Sequence, residues 1–211
     1  KRIFTSIILS IILVSCLFIS KYSWLILLII VSIICFFEFY YLAKLIWKKS
    51  IKFIYLSNII IFFYLIFFTY TTYDLGKINK ANIIFVLMVC IFSDVGGYCI
   101  GKVVGGKKLT KISPNKTISG SIGSLVFSVI PLTFLLVVGL IPDENLIQLF
   151  FLSLILSIIC QSGDLFISFF KRKAKVKDTG TILPGHGGLL DRIDGIIFAV
   201  PVAYFLVKLL F

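Results

Sequence analysis

Long uninterrupted runs of apolar residues recur along this chain, and they restrict what it can fold into more than any other feature. A helix needs about 20 apolar residues to cross the roughly 30 Å hydrocarbon layer of a membrane. With 60% hydrophobic and 14% charged residues, a chain of 211 residues cannot hide its apolar surface in a water-soluble core. Because the runs are continuous, they favour helices over alternating barrel strands. The chain is therefore predicted to be an all-α, polytopic integral membrane helical bundle.

The runs predict about seven transmembrane helices. They cover residues 3–20, 23–47, 53–69, 83–104, 118–141, 146–170 and 191–211. A polar loop is expected over residues 70–82, and Pro131 predicts a kink in the fifth span because proline lacks a backbone N–H. We expect two regions, N-terminal transmembrane helices at residues 1–80 and a C-terminal catalytic membrane region at residues 81–211.

The lysines and arginines predict the orientation of these spans. With the N-terminus in the cytoplasm, 17 of the 21 basic residues fall in cytoplasmic segments, as the positive-inside rule requires. The others are Lys21, Lys77, Lys80 and Lys208. This topology predicts a multi-pass protein of a bacterial-type inner membrane, with the polar segments 107–121 and 171–195 facing the cytoplasm.

Three predicted spans carry an acidic residue at a depth where hydrocarbon would surround it. Charged groups there are costly, so they face other helices or a water-filled cavity and are candidates for function. For Asp94 and Asp164 we favour a place in a site. For Glu38 we favour a hydrogen bond that packs helices together, with protonation or pairing with a cation as alternatives.

Glycines in the fourth span indicate close helix packing. Gly97 and Gly101 are four residues apart and share a helix face, where small residues let another backbone approach. Packing within the chain is one interpretation. A homodimer is another that the sequence allows.

The segment 171–195, KRKAKVKDTGTILPGHGGLLDRIDG, is strongly polar in an otherwise apolar chain. Asp191 and Asp194 are three residues apart, so in a helix both could reach one hard cation or two adjacent ones. With Asp94 and Asp164 they would form an oxygen-rich ligand set suited to Mg²⁺. Basic residues nearby could neutralise phosphates, as phosphoryl or nucleotidyl transfer requires. These residues are Lys171, Arg172, Lys175, Lys177 and Arg192.

Two features near these residues have both a chemical and a structural interpretation. His186 lies in a glycine-rich stretch, where it could donate to a phosphate, carry a proton or only brace the loop. Lys111 and Lys116 flank the Ser113-Pro114 turn, where backbone amides and cations could converge on a phosphate. A solvated basic loop is the alternative for these lysines.

Two motifs resemble those of a known family. The pattern S-x-x-K-R-x-x-x-x-K-D-x-G-x-x-x-P-x-H-G-G-x-x-D-R-x-D at residues 168–194 is similar to the signature of phosphatidate cytidylyltransferases, also called CDP-diglyceride synthases. The upstream run from Asp94 through Gly101-Lys102 to residues 112–117, and the pair Gly163-Asp164, resemble further motifs of that family. Together the motifs cover roughly the last 120 residues of the chain.

The resemblance implies an enzyme of phospholipid biosynthesis that transfers CMP from CTP to phosphatidic acid in the bilayer, releases pyrophosphate and requires Mg²⁺. It implies catalytic roles for Lys177, Asp178, His186, Asp191 and Asp194. It implies substrate binding by Ser113, Asn115, Lys116, Lys171, Arg172 and Arg192. The implied metal ligands are Asp94, Asp164, Asp191 and Asp194. No nucleic acid polymer is expected as a partner.

The chain departs from the family pattern at two positions. Many members are acidic where this chain has Ser119 and Ile167, so less negative charge is expected near the site. The first 80 residues match no specific motif.

Other functions share parts of this pattern. Another CTP-dependent lipid enzyme, such as a polyprenol kinase or a different lipid cytidylyltransferase, would use the same acids and lysines with another acceptor or leaving group. An enzyme that consumes CDP-lipids is expected to carry an Asp-Gly-x-x-Ala-Arg type motif, which the sequence lacks. An ion-coupled transporter could carry buried aspartates, but it gives no reason for a PGHGG stretch before paired aspartates.

Overall fold

The structure is a computed structural model that describes residues 2–137, 146–183 and 187–210, with side chains from residue 7 onward except at residue 135. These residues are almost entirely helical, and their only extended pairings are the isolated bridges Lys108–Thr117 and Leu183–Gly187. The predicted all-α class is confirmed. The helices are α1 (Arg2–Ile19), α2 (Lys21–Ile46), α3 (Ile51–Ile78), α4 (Lys80–Val104), α5 (Ile118–Phe127), α6 (Ile130–Val137), α7 (Leu146–Ala174), α8 (Leu190–Ile193) and α9 (Ile196–Leu210).

Within the described residues, α2, α3, α4 and α7 are long and apolar enough to cross a membrane. Each has at least 25 residues, about 37 Å of helix at 1.5 Å per residue. Three shorter apolar helical stretches, Ile7–Ile19, Ile118–Phe134 and Ile196–Leu210, lie in the other predicted spans. The chain is therefore a multi-pass membrane bundle, while the number seven stays a prediction.

The predicted loop at residues 70–82 is wrong, because α3 continues to Ile78 and α4 begins at Lys80. Polar residues suggested a loop, but a helix satisfies them. Thr71 and Thr72 donate their hydroxyls to the Phe67 and Phe68 carbonyls of the preceding turn, at 2.9 and 2.6 Å. Asn79 alone separates the helices, and its side chain caps α4 by accepting the Ala81 N–H at 2.9 Å.

The fifth and seventh predicted spans also differ in detail. The fifth is interrupted at residues 128–129. Pro131 is the second residue of α6, where its missing N–H costs little. The described part of this span ends at Val137, and its predicted end at residue 141 lies outside the described residues. The seventh begins at Ile196, because Asp194 and Gly195 separate the short α8 from α9.

The chain divides into two compact units. The first unit comprises Lys1–Ile78 and Phe169–Ile193, and the second comprises Asn79–Ser168 and Asp194–Phe211. The segment 169–193 thus groups with the N-terminal helices. The functional division into residues 1–80 and 81–211 stays a prediction.

In the first unit, α2 packs against both α1 and α3. Ser20 and Ser23 form a reciprocal capping box that starts α2 directly after α1. Between α2 and α3, Ser32 and Thr69 share a hydrogen bond of 2.7 Å. The Phe39 ring lies 5.5 Å from the ring of Phe170, which joins the end of α7 to this helix pair.

In the second unit, α4 packs along α5 through glycines on both helices. A Cβ on Gly96 would lie 2.6 Å from the Gly123 carbonyl, and one on Gly120 would lie 2.7 Å from the Gly97 carbonyl. Only glycine permits this approach. The α4–α5 contact accounts for the glycine face of the fourth span, so that face gives no separate argument for a homodimer. Ser93 and Ser157 also join α4 to α7 by a hydrogen bond of 2.8 Å.

Candidate active site

The second unit contains a polar cavity of about 320 Å³ between α4, α5, α7 and the loop that precedes α5. Its wall includes the predicted acids Asp94 and Asp164 and three predicted substrate-binding residues. These three are Ser113, Asn115 and Lys116. Five of the predicted site residues therefore line one cavity.

The loop before α5 is held in a closed shape by its own backbone. Leu109 donates its N–H to the Lys116 carbonyl at 2.8 Å, and Ile118 donates to the Lys107 carbonyl at 3.0 Å. Thr117 then caps α5 by accepting the Gly120 N–H at 3.0 Å. These bonds fix Lys116 at the edge of the cavity.

Lys116 forms a salt bridge with Asp164 at the cavity wall. Both side chains keep about a quarter of their surface exposed, at 29% and 26%, so the pair contributes little to stability. Ser168 also donates its hydroxyl to Asp164, at 3.2 Å. Because the pair is open to the cavity, an anionic ligand could take Lys116 as its counter-ion.

Sequence reasoning gave no role to Gln161 and Ser121, which also line the cavity. Ser121 donates its hydroxyl to the Gln161 side-chain oxygen at 2.5 Å, which joins α5 to α7. Gln161 lies three residues before Asp164, so the two share a helix face. That spacing is the signal that could have identified Gln161.

Asp194 belongs to the same unit and contacts α7 through its backbone. A Cβ on Gly163 would lie 2.6 Å from the Asp194 carbonyl oxygen, so only glycine fits beside it. The Asp194 carboxylate accepts the Gly195 N–H at 2.9 Å, and a Cβ on Gly195 would overlap Cys160. The predicted pair Gly163-Asp164 thus has two separate functions, close packing of the chain and a carboxylate in the cavity.

The oxygen donors of this cavity suit a hard cation. Asp94 and Asp164 supply carboxylates, and Gln161 and Ser121 supply amide and hydroxyl oxygens, which are the ligand types that Mg²⁺ prefers. Among the described residues, no group of three or more His, Cys, Asp or Glu side chains is arranged to hold a metal ion. The residues present fit Mg²⁺ in kind, and the predicted ligand set stays a prediction.

The first unit contains a second polar cluster, centred on Asp191. The Lys171 ammonium donates to Asp191 Oδ1 at 2.7 Å. Asp191 Oδ2 accepts the Thr179 N–H at 2.7 Å, the Thr179 hydroxyl at 3.0 Å and the Gly188 N–H at 3.1 Å. The Asp191 side chain is only 5% exposed, and its hydrogen bonds hold the polar segment in place. Its predicted roles in catalysis and metal binding stay predictions.

Glu38 is a second anchor of the same segment. It is 4% exposed and accepts the Leu189 N–H at 2.9 Å, the Leu190 N–H at 2.8 Å and the Thr179 hydroxyl at 2.8 Å. The favoured hydrogen-bonded role is thus correct, but its partners are a loop and the start of a short helix rather than a long packed helix. The sequence predicts neither these partners nor the burial of Thr179, which is 1% exposed.

The remaining predicted site residues lie on the polar segment 171–195, and one of them lies outside the residues that the structure describes. Arg172, Lys177, Asp178 and Arg192 are exposed members of the first unit. Exposure leaves these side chains accessible to a ligand, while their predicted roles stay predictions. His186 lies outside the described residues.

The two departures from the family pattern have local explanations. Ser119 donates its hydroxyl to the Gly105 carbonyl and hydrogen-bonds Thr117 at 3.0 Å, so it ties the end of α4 to the start of α5. Ile167 is 2% exposed, and an acid at its position would be buried. Ser119 and Ile167 therefore contribute to helix packing at positions where an acidic residue would add a negative charge.

Comparison with known proteins identifies one family. Residues 47–210 of the chain match the cytidylyltransferase family. This match includes the cavity, the polar segment and all the predicted site residues, and it begins after Glu38.

Several curated relatives are named phosphatidate cytidylyltransferase. The protein of Bacillus subtilis (strain 168) is 39% identical over 140 residues, which are 64% of this chain and 52% of the relative. That of Staphylococcus haemolyticus (strain JCSC1435) is 45% identical over 122 residues, 57% of this chain and 46% of the relative. That of Rickettsia bellii (strain RML369-C) is 41% identical over 136 residues, 59% of this chain and 58% of the relative. The chain thus spans about half the length of the curated relatives it matches.

Proposed function

We propose that this chain, which belongs to the cytidylyltransferase family, transfers CMP from CTP to phosphatidic acid, giving CDP-diacylglycerol and pyrophosphate. The names of its relatives support this substrate pair. The observation that carries the proposal is the polar cavity, where Asp94, Asp164 and Lys116 meet in a unit built from membrane helices.

For this reaction, the protein needs mainly to position the two reactants and to stabilise the negative charge. In this reaction an oxygen of the lipid phosphate attacks the α-phosphorus of CTP, and the bond from that phosphorus to the bridging oxygen of pyrophosphate breaks. The lipid phosphate is already an anion, so no strong base is needed. Cationic side chains that hold both reactants in line and stabilise the departing charge would supply the catalysis.

Lys116 is the residue that we place nearest this charge. Its ammonium lies at the cavity wall in a pair with Asp164, and it would exchange that partner for a phosphate oxygen. Ser113 and Asn115 of the same loop would donate to or accept from the substrate. Lys171, Arg172, Lys177 and Arg192 of the first unit would bind the triphosphate or the lipid phosphate.

Mg²⁺ is the proposed cofactor, and a second cation is part of the same prediction. Asp94 and Asp164 of the polar cavity would hold it, with Asp194 of the same unit. When bound, the metal would neutralise phosphate charge during transfer. Removal of divalent cations with EDTA should abolish activity, and added Mg²⁺ should restore it; activity retained in EDTA would exclude the metal.

The orientation and assembly are also proposals. The positive-inside bias supports an active site that faces the cytoplasm, in the inner membrane of a bacterium. A homodimer stays a prediction. No observation on the chain favours a transporter or a CDP-lipid-consuming enzyme.

The direct assay incubates the purified protein in detergent with labelled CTP, phosphatidic acid and Mg²⁺. We expect labelled CDP-lipid to form only when both substrates are present. Asp194→Ala should lose turnover while the protein stays folded and monodisperse, because a carboxylate of the site is gone. A folded wild-type protein that makes no CDP-lipid would refute the proposal, and near-normal activity of Asp194→Ala would remove Asp194 from the site.

A further inference from the structure

Glu38 is surrounded by hydrogen-bond donors although it lies within a membrane-spanning helix. Both carboxylate oxygens accept: Oε1 from the Leu189 N–H, and Oε2 from the Leu190 N–H and the Thr179 hydroxyl. At 4% exposure, a carboxylate without these donors would be costly. The three bonds therefore explain how an acid persists at this depth.

The partners of Glu38 are separated from it by more than 140 residues of chain but lie in its own compact unit. The Leu190 N–H is the first of α8 and the Leu189 N–H comes immediately before it, and N–H groups at the start of a helix have no partner within that helix. Glu38 thus supplies acceptors that the four-residue helix cannot supply itself. In this way one side chain of α2 fixes the backbone that leads directly to Asp191 and Arg192.

Two glycines of the polar segment make room for the Glu38 carboxylate. A Cβ on Gly188 would lie 2.5 Å from Oε2, and one on Gly180 would lie 2.8 Å from Oε1. Any larger residue at either position would displace the acid or the loop. The backbone of the polar segment therefore packs directly against the Glu38 carboxylate at both glycines.

Thr179 joins Glu38 to the residues of the predicted site. Its hydroxyl, which has one proton to share between the acids, lies 2.8 Å from Glu38 Oε2 and 3.0 Å from Asp191 Oδ2. Its backbone N–H donates to the same Asp191 oxygen at 2.7 Å. Asp191 in turn holds the Lys171 ammonium at 2.7 Å. A continuous chain of hydrogen bonds thus runs from Glu38 through Thr179 and Asp191 to Lys171.

From this chain of contacts we infer that Glu38 is a positioning residue, which sets the geometry of Asp191 and Lys171 for the transfer reaction without touching a substrate. The inference rests on the proposed function for its kinetic part. Glu38 lies before residue 47, where the match to the family begins.

Glu38→Gln is the most informative substitution because it keeps the size of the side chain. A glutamine replaces one carboxylate oxygen by an NH₂ group, which donates and cannot accept. This NH₂ group would face the donors that now bond to that oxygen. At least one of the three hydrogen bonds is therefore lost. Glu38→Asp keeps both oxygens and the charge on a shorter stem, and it should rescue part of the loss.

The first readout is amide hydrogen exchange of the wild-type and variant proteins in detergent. In Glu38→Gln, at least one of the Leu189 and Leu190 amides should exchange about tenfold faster than in the wild type, because the glutamine keeps only one acceptor oxygen. Ser32→Ala is the matched control, since it removes a hydrogen bond of α2 to Thr69 and touches no part of the loop. The control should leave exchange at residues 189–190 unchanged.

The second readout separates kcat from KM in the CDP-lipid assay. A positioning role predicts that Glu38→Gln lowers kcat at least about tenfold and changes KM for phosphatidic acid by less than about threefold. Thr179→Val, which keeps the branched shape and removes the shared hydroxyl, should lower kcat in the same direction. The double variant should be no worse than Glu38→Gln alone, because both changes break one chain of contacts.

The outcomes decide the inference in either direction. Faster exchange together with a lower kcat, relative to Ser32→Ala, supports it. Wild-type exchange, or faster exchange with an unchanged kcat, overturns it. If Glu38→Gln does not fold, Thr179→Val gives the same test from the loop side. If the wild-type protein makes no CDP-lipid, the proposed function fails, and the exchange comparison alone decides whether Glu38 anchors the segment.

Discussion

At the residue scale, the acids of the chain differ in what surrounds them. Glu38 and Asp191 accept hydrogen bonds from the polar segment with both oxygens and are buried. Asp94 and Asp164 line a cavity, where Asp164 is paired with Lys116. The first two acids hold the polar segment in place, whereas the second two face a cavity, where Asp164 could exchange Lys116 for a ligand.

Lys116→Gln tests the role of the cavity lysine. Removing its charge should lower kcat/KM for CDP-lipid formation about a hundredfold, equivalent to about 2.7 kcal/mol of transition-state stabilisation. Lys111→Gln is the control, because Lys111 is exposed on the same loop and does not line the cavity. Steady-state kinetics of the two variants would contradict the assignment if both lost the same activity.

The sequence predicts which residues carry chemistry better than it predicts their partners. Asp94, Asp164 and Lys116 stand out as polar groups in or beside apolar spans, and the cavity brings all three together. The contact between Glu38 and Thr179 joins positions 141 residues apart, and no local pattern encodes it. Whether an acid binds a ligand or a loop depends on such contacts, which only the folded chain provides.

At the element scale, the cavity depends on how closely α4 approaches α5. Glycines on both helices bring their backbones together, and Gly97 and Gly120 also line the cavity. Side chains at these positions would separate the helices and move Asp94 relative to the loop that carries Lys116. The glycines therefore serve packing and site geometry together.

Gly123→Ala tests this packing. The new Cβ would lie 2.5 Å from the Ile100 Cβ and 2.8 Å from the Gly96 carbonyl, so the helices must separate. Overpacking of this kind costs about 1–3 kcal/mol, and the midpoint of thermal unfolding in detergent should fall. Ile122→Ala, on an exposed face of α5, is the control and should change the midpoint much less. Equal midpoints for the two variants would argue against close α4–α5 packing.

Helices of high hydropathy were predictable, and their ends were less so. The lengths of α2, α4 and α7 follow from continuous apolar runs. Polarity at residues 70–82 suggested a loop, but threonine hydroxyls bonded to the preceding turn let α3 continue. At the break before α9, Gly195 packs against Cys160, a contact that hydropathy does not register.

At the scale of the whole molecule, charge is the feature that orients the chain. Lys77 and Lys80 lie at the α3–α4 junction, whereas Lys107 and Lys108 follow α4. Because α4 is long enough to span a membrane, these pairs should lie on opposite sides of it. The proposed topology places the second pair in the cytoplasm.

Cysteine labelling in intact cells checks this topology. In a chain whose native cysteines are replaced by alanine, Lys77→Cys should react with a membrane-impermeant maleimide from outside. Lys107→Cys should react only after the membrane is opened; both positions are exposed, so access to the side chain does not limit the reaction. Labelling of Lys107→Cys in intact cells would reverse the proposed orientation.

The fate of the phosphates of CTP distinguishes cytidylyl transfer from phosphorylation of the lipid. CTP labelled in its α-phosphate and CTP labelled in its γ-phosphate are each incubated with phosphatidic acid, Mg²⁺ and the purified protein. Cytidylyl transfer predicts that the α-label enters the lipid and the γ-label leaves as pyrophosphate, in equal amounts. A γ-label in the lipid, as a kinase would produce, would contradict the proposed function.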